Sequence, residues 1–304
     1  MGDSTVCTLT EEQAARLREI LTERGWEISA IPYARFKASG DHVSVAAYES
    51  GKLVVQGKKA REFVEFVLEP EILHTFGTLQ APEPSPEEAS PHGGIDESGK
   101  GDFFGPLVIA GVCVDPRTAA ELRAVGVCDS KLVSSSKRIF EMADGIRRAV
   151  PGRYSVVVLK PETYNRLYDS IGNLNRLLAW GHARTIENLL ELVPDCPRML
   201  SDKFGNESLI RRALMERGRA IVLDQRVRAE SDVAVAAASI LAREQFLRRM
   251  AQLSEAVGVE LPRGGGPQVK IAGRQLLEKA GPEIFRTCAK LHFKTYGELV
   301  GEIS

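Results

Sequence analysis

The sequence lacks the features that mark secreted, membrane-spanning and metal–thiolate proteins. Its first residues, MGDSTVCTLTEEQ, contain neither the basic nor the apolar region of a signal peptide, and no apolar run approaches the length needed to cross a bilayer. The 5 cysteines are scattered and form no C-x-x-C pair, which indicates neither a disulfide framework nor a zinc site. These absences predict a cytoplasmic protein without a membrane partner.

The chain also lacks a strong excess of charge of either sign. Its 40 basic and 41 acidic side chains nearly cancel, which argues against indiscriminate binding to polyanions. The charge is nevertheless uneven along the 304 residues, because the negative excess lies in the first 93 and residues 94–304 are net positive. A phosphate-rich ligand would suit the positive part.

The composition predicts two domains joined by a linker. Residues 81–93, APEPSPEEASPHG, are rich in proline and acid and are typical of an extended connection. The pattern of residues 1–80 predicts a small α+β domain that begins with a helix from Glu11 to Arg24 capped by Thr10. Three strands, 26–37, 43–48 and 53–55, and a second helix with Phe63, Phe66 and Val67 on one face are predicted to follow. Residues 94–304 form the larger domain, with a helical extension at the carboxyl end.

The first predicted strand of the small domain interleaves rings with cations. Tyr33, Arg35, Phe36 and Lys37 suit stacking on, or gripping, a nucleic acid. A buried face alternating with a solvated face explains the same pattern. Both interpretations stay open.

The stretch from Gly94 to Leu107, GIDESGKGDFFGPL, carries the most chemistry. Asp96 and Glu97 are adjacent carboxylates at a strand end, and carboxylate oxygens are ligands that Mg²⁺ prefers. Because side chains alternate along a strand, the strand is expected to twist or end at these acids so that both face one site. Gly99 and Gly101 provide backbone freedom and let N–H groups approach a sugar or phosphate, with Lys100 as a point charge.

Two other interpretations of this stretch are an acidic, glycine-rich turn and a phosphate-binding P-loop. The turn needs no ligand. Residues 94–100 do spell G-x-x-x-x-G-K, but Gly101 stands where that motif needs a Ser or Thr hydroxyl. Asp96 and Glu97 would also lie inside the loop and repel the phosphates.

Two further acids lie at the ends of predicted elements. Asp202 falls at the carboxyl end of the short strand 198–202, the edge where α/β sheets place ligands. Asp232 opens the alanine-rich helix 233–250, where a helix N-cap is the commoner role of an aspartate. Asp129 and Ser130 can cap the helix that follows them, and Lys131 could hold a phosphate.

Five separated blocks of the larger domain resemble ribonuclease HIII. They appear in the order that this family has, and Ser98 and Lys100 favour HIII over its sister family HII, which has Ala-Gly-Arg-Gly in the turn. Residues 1–80 are similar, by pattern, to the TATA-binding-protein-like domain that these enzymes carry in front. The blocks are GIDESGKGDFFGPL, DSK at 129–131, SDKF at 201–204, SDVAVAAASILARE at 231–244 and KLHFKTY at 290–296.

The resemblance implies an α/β fold, RNase H-like, with a mixed sheet of three antiparallel and then two parallel strands flanked by helices. It implies hydrolysis of the RNA strand of RNA–DNA hybrids by a two-metal-ion mechanism, giving 5′-phosphate and 3′-hydroxyl ends. It further implies a monomer that needs no protein partner. A binder of hybrids without catalysis is the alternative.

The resemblance also assigns site residues by position. Two Mg²⁺ or Mn²⁺ ions are expected on four carboxylates, and a second group is expected to bind the substrate. The carboxylates are Asp96, Glu97, Asp202 and Asp232, and the substrate-binding residues are Ser98, Gly99, Lys100, Gly101 and Lys131.

Overall fold

The chain forms two compact units in a computed structural model, residues 1–81 and residues 82–304. The structure describes residues 3–74, 89–127, 130, 133, 135–202, 207–214, 217–226 and 229–301. Most of the predicted linker, together with Asp129 and Lys131, lies outside the described residues.

The first unit is an antiparallel sheet with helical elements on one face. Its strands are hydrogen-bonded in the order β1-β5-β4-β3-β2. The elements are β1 (Asp3–Thr8), α1 (Glu11–Glu23), β2 (Glu27–Ser29), β3 (Ala34–Gly40), β4 (Val43–Tyr48), β5 (Lys52–Gly57), α2 (Ala60–Phe63) and a π-helical segment (Val64–Leu73).

Helix α1 begins where the sequence predicts. Thr10 is its N-cap and forms a capping box with Gln13, in which each side chain accepts a hydrogen bond from the other residue's backbone N–H. The buried face of α1 packs on the sheet, and the exposed face is charged. The helix predicted after Thr10 and the small α+β domain are therefore confirmed.

The strand pattern of this unit differs from the prediction. Strand β1 precedes the first helix, and the predicted strand from residue 26 to residue 37 is divided into β2 and β3. The division falls at Tyr33, whose positive φ of 62° breaks the extended backbone. Phe36 is buried in the core, so it does not stack on a ligand, while Arg35 and Lys37 alternate with it towards the other face.

The second predicted helix is wound more widely than expected. The prediction put Phe63, Phe66 and Val67 on one face, but Phe66 is 50% exposed while Phe63 and Val67 are buried. In the π-helical segment the hydrogen bonds span five residues, which moves the buried face away from the α-helical spacing.

The second unit is a mixed sheet between two layers of helices. The strands are β6 (His92–Ser98), β7 (Leu107–Val114), β8 (Tyr154–Leu159), β9 (Arg198–Asp202) and β10 (Val222–Arg226). The helices are α3 (Pro116–Ala124), α4 (Ser136–Ala149), α5 (Pro161–Ile171), α6 (Leu174–Leu192), α7 (Glu207–Ala213), α8 (Val233–Val257), α9 (Pro267–Ala280), α10 (Phe285–Cys288) and α11 (Lys294–Gly301).

The strand order of this sheet is β10-β9-β6-β7-β8. Strands β6, β7 and β8 pair antiparallel, whereas β9 pairs parallel with both β6 and β10. Three antiparallel strands followed by two parallel strands are the predicted RNase H-like sheet, so the fold class is confirmed.

The two faces of the sheet have separate hydrophobic cores. Val108, Ala110 and Val112 of β7 pack with the alanine-rich start of α8, and Leu107 and Ile109 pack with α6 on the opposite face. The alternation follows from the period of two along a strand. Strand β6, at the centre of the sheet, therefore lies between α8 and α6.

Some boundaries were predicted wrongly. Strand β6 begins at His92, two residues before the predicted start at Gly94, and α3 was not predicted at all. The last strand is Val222–Arg226 rather than 220–223, because residues 218–220 form a 3₁₀ turn. A P-loop is excluded, because residues 94–98 lie in a strand and not in a loop.

No helix in the described part of the chain is both long enough and apolar enough to cross a membrane.

Candidate active site

Strand β6 presents alternate side chains to the two helical layers. His92 faces α8, since its Nε2 lies 3.0 Å from a carboxylate oxygen of Asp232 at the start of that helix. Glu97 faces α6, since its Oε2 lies 3.0 Å from Nε2 of His182. Asp96 has the same parity as His92 and therefore belongs to the α8 face.

The ladder between β6 and β7 stays in register through both acids, with Asp96 opposite Ala110 and Glu97 opposite Ile109. Strand β6 ends only after Ser98. The expectation that the strand ends at Asp96 and Glu97 is therefore wrong. Regular pleating sends their side chains to opposite faces of the sheet.

Gly94 lets α8 lie directly against β6. A Cβ at Gly94 would come within 2.2 Å of the backbone nitrogen of Val235 and 2.3 Å of the carbonyl carbon of Ala234. Real Cβ atoms do not approach backbone this closely, so the position requires glycine. The contact fixes the distance between the first turn of α8, which carries Asp232, and the strand that carries Asp96.

We expect Gly94→Ala to destabilise the protein by about 1–3 kcal/mol, because the added methyl meets backbone that cannot rotate away. Chemical denaturation measures the loss. The matched control is Gly297→Ala in α11, where the new Cβ has no atom within 4 Å and alanine is a better helix former. Equal stability of Gly94→Ala and the parent would contradict the close contact.

Asp232 is a buried N-cap with a second partner. Its Oδ1 accepts hydrogen bonds from the backbone N–H groups of Ala234 at 2.9 Å and Val235 at 3.4 Å. His92 Nε2 lies within 3.1 Å of both carboxylate oxygens. Burial alone would lower the pKa of His92, but the hydrogen bond and the negative charge of Asp232 raise it above its usual value.

Glu97 is a largely buried carboxylate between two basic groups, with 11% of its side chain exposed. Its Oε2 contacts His182, and Lys100 Nζ lies 3.5 Å from its Oε1. Burial would raise the pKa of Glu97, but His182 and then Lys100 outweigh this effect and hold the pKa below its usual value. Glu97 is therefore ionised at neutral pH, as a ligand for a hard cation must be.

Asp96 and Asp202 lie side by side towards the carboxyl ends of neighbouring parallel strands. Ile95 of β6 pairs with Ser201 of β9, so Asp96 and Asp202 are the next residues along the same register. Residues in register on adjacent parallel strands point to the same face. Both aspartates are half-buried, and the face that Asp96 shares with His92 is the one where Asp232 lies.

The turn after β6 needs glycine at its first position. Gly99 has φ +90°, and a Cβ there would come within 2.2 Å of the carbonyl oxygen of Pro106. Gly101 has no atom within 4 Å of an added Cβ, so its backbone borders open space. Lys100 approaches Glu97, and Ser98 closes the strand. Lys131 is outside the described residues.

The donor chemistry fits a hard divalent cation. Asp96, Glu97, Asp202 and Asp232 offer only carboxylate oxygens, which Mg²⁺ and Mn²⁺ prefer over sulfur. Within the described ranges, no three His, Cys, Asp or Glu side chains are already arranged around one ion position. The strand register places Asp96 beside Asp202, and Asp232 lies on the same face of the sheet, next to His92 at the start of β6, whereas Glu97 lies on the other face.

Two histidines were missed by the sequence argument. His92 was assigned to the linker, and His182 lay in a helix interpreted as packing only. Each contacts a candidate metal ligand, at sequence separations of 140 and 85 residues. No local pattern marks either residue, because the contacts arise only when the sheet brings its flanking helices together.

Comparison with known proteins defines the class. The family model described as Ribonuclease HII matches residues 93–296, which cover the second unit and all four acids. A second model, Domain of unknown function (DUF3378), matches residues 4–77. The mixed sheet and the matched range define a ribonuclease of the H type.

Individual relatives narrow the class. Ribonuclease HIII of Protochlamydia amoebophila is 44% identical over 98% of this chain and 97% of its own length. Ribonuclease HIII of Chlamydia felis is 42% identical over the full length of both chains. The crystal structure of Bst-RNase HIII in complex with Mn²⁺ matches with TM-score 0.65 and 31% identity, covering 99% of each chain. The chain belongs to the ribonuclease HIII family.

Proposed function

We propose that the protein is an endoribonuclease that hydrolyses the RNA strand of RNA–DNA hybrids and leaves 5′-phosphate and 3′-hydroxyl ends. The observation that carries the proposal is the register between Ile95 and Ser201, which makes Asp96 and Asp202 neighbours at one end of the sheet. Asp232 adds a carboxylate on the same face through its contact with His92.

Asp96, Asp202 and Asp232 would hold two Mg²⁺ or Mn²⁺ ions from the α8 face of the sheet, and Glu97 would reach the same ions around the end of β6 from the α6 face. When bound, such ions activate the attacking water and neutralise charge on the leaving 3′ oxygen. The related Bst-RNase HIII was solved with Mn²⁺, which supports a divalent ion for this family. His182 keeps Glu97 ionised and oriented, and His92 orients Asp232.

Selection for RNA is assigned to the turn after β6. The backbone of Ser98, Gly99, Lys100 and Gly101 would contact the 2′-hydroxyl, the group that distinguishes RNA from DNA at a given position. The exposure of Gly101 supports this role, since a Cβ added there meets no atom of the described residues within 4 Å. Lys131 would hold a phosphate, and residues 1–80 would add contacts to the hybrid, to which Arg35 and Lys37 contribute charge.

The test offers the full chain four substrates of one sequence: RNA–DNA, RNA–RNA and DNA–DNA duplexes, and a DNA duplex with one ribonucleotide. Each is incubated first with Mg²⁺ and then with Mn²⁺. We expect cleavage of the RNA strand of the hybrid only when a divalent ion is present, with ligatable 5′-phosphate ends. Chelation should abolish it.

Stable binding of the hybrid without cleavage over hours, with either ion, would contradict the proposal and favour a pure hybrid-binding protein. Equal cleavage of RNA–RNA would contradict the specificity for hybrids.

A further inference from the structure

Lys290 is a buried cation beneath the turn that follows β6. Its side chain is fully buried. The ammonium group donates to the backbone carbonyl oxygens of Asp102 at 2.7 Å, Gly105 at 2.8 Å and Phe104 at 3.4 Å. A lysine ammonium has three N–H donors, so these three carbonyls use all of them.

The same turn is held by the backbone around Lys290 and by a second distant loop. The backbone N–H of Lys290 donates to the Phe103 carbonyl at 2.9 Å, and the Gly105 N–H donates to the Cys288 carbonyl at 2.8 Å. The Gly264 carbonyl accepts a hydrogen bond from the Phe103 N–H, and the Gly264 N–H donates to the carboxylate of Asp102. The segment between β6 and β7 is thus shaped by residues more than 150 positions later in the chain.

Asn165 of α5 in turn fixes the segment that carries Lys290. Its amide nitrogen donates to the Ala289 carbonyl at 2.9 Å, and its amide oxygen accepts from the Leu291 N–H at 3.0 Å. The ammonium also lies 5.7 Å from the centre of the Tyr164 ring. The lysine is therefore held on both sides and cannot move independently of the second unit.

A buried positive charge is costly, and the packing does not require one. Burial lowers the pKa of Lys290 to about 7, although the negative charge of Asp102 opposes this effect. A methionine would fill a similar volume without the desolvation penalty. What it cannot do is bind three carbonyl groups of one turn to a single atom.

We infer that Lys290 is a positioning residue for substrate selection, which sets the shape of residues 102–105 and thereby aims the backbone of residues 99–101 at the ribose. The inference rests on the proposed function, since that turn is where the 2′-hydroxyl would be recognised. Lys290 acts through the turn and does not touch the substrate.

The experiment compares Lys290→Met with the parent in single-turnover and steady-state cleavage of an RNA–DNA hybrid, well below the melting temperature of either protein. We expect kcat to fall about 10-fold to 100-fold, because misplacement of a contacting group by about 1 Å costs this much. KM should change less than about threefold, because the other phosphate contacts are intact. A purely structural role would reduce the active fraction and leave the single-turnover rate unchanged.

Two controls separate positioning from general damage. Lys279→Met removes a lysine that also donates to two backbone carbonyls, of Val257 and Gly258, at the end of α8. Leu190→Ala destabilises the core on the α6 face of the sheet, whose cluster includes none of residues 102–105. Both should keep the parent kcat. Lys290→Arg keeps the charge, but the planar guanidinium group of arginine cannot direct three N–H donors from one nitrogen. We therefore expect Lys290→Arg to lower kcat as Lys290→Met does.

Each outcome decides the inference. A parent kcat in Lys290→Met or in Lys290→Arg would overturn it. If Lys290→Met does not fold, Asn165→Leu replaces it, because the loss of Asn165 releases the segment that carries Lys290. Asn165→Leu should lower kcat about 3-fold to 10-fold. An unchanged kcat in Asn165→Leu would also overturn the inference. Failure of the parent to cleave any hybrid would instead overturn the proposed function.

Discussion

Asp96→Asn is expected to lower hybrid cleavage by about a thousandfold or more while leaving the fold and hybrid binding intact. The change removes the negative charge of one proposed metal ligand at the point where strand register brings Asp96 beside Asp202. A divalent ion contributes several kcal/mol to transition-state stabilisation, and about 1.4 kcal/mol corresponds to tenfold in rate. An asparagine oxygen can still accept the hydrogen bond that Asp96 Oδ1 receives from the Glu97 N–H at 2.8 Å, so the strand end should persist.

The measurement combines cleavage rates, hybrid affinity and melting temperature with and without divalent ion. In the parent, Mg²⁺ or Mn²⁺ should raise the melting temperature, because ions that bind only the folded state stabilise it. Asp96→Asn should reduce that rise. The matched control is Asp169→Asn, which removes the charge of an exposed aspartate on α5 and should behave as the parent. Normal cleavage by Asp96→Asn would remove this residue from the site.

Substitutions at Asp232 should separate its structural role from its catalytic role. Asp232→Ala is expected to destabilise the protein by about 2–4 kcal/mol. The lost N-cap contributes about 1 kcal/mol, and leaving the buried His92 without its partner costs a further 1–3 kcal/mol. Asp232→Asn retains a good N-cap and a partner for His92, so its stability should fall by only about 1 kcal/mol. Both variants should lose about a thousandfold in cleavage rate.

Denaturation with guanidinium and cleavage assays at low temperature measure the two effects independently. The matched control is Asp115→Ala, which removes the N-cap of α3 and its hydrogen bond with Thr118 but leaves all four acids in place. It should cost about 1 kcal/mol and leave the cleavage rate unchanged. Full activity of Asp232→Asn would show that Asp232 serves only as a cap.

Features that depend on neighbouring residues were predictable from the sequence. Thr10 caps α1 through residues only three positions away, and β9 has the bounds that its apolar run and terminal Asp202 indicate. The glycine at 172 separates α5 from α6, as expected, with the left-handed conformation that favours this residue. The sheet order followed from the family resemblance more than from any of these local signals.

Features that depend on distant contacts were not predictable. The exposed Tyr33 adopts a positive φ, which is uncommon for a tyrosine and could not be predicted from its residue type. The single strand predicted there is therefore divided into β2 and β3. The partners of the acids, His92 and His182, are ordinary residues by local pattern. Alternation of side chains along a strand would have predicted opposite faces for Asp96 and Glu97. We instead expected the strand to twist or end there so that both acids face one site. The regular ladder between β6 and β7 shows that the alternation holds.

The parallel pairing of β6 with β9 has a consequence for synthesis on the ribosome. Strand β6 can pair with β7 once residue 114 has been made, but its other neighbour, β9, ends at residue 202. Until β9 emerges, the nascent chain exposes one edge of what becomes the central strand, and unpaired edges invite aggregation. A chain terminated before residue 198 therefore exposes an unpaired edge of β6 and lacks both Asp202 and Asp232.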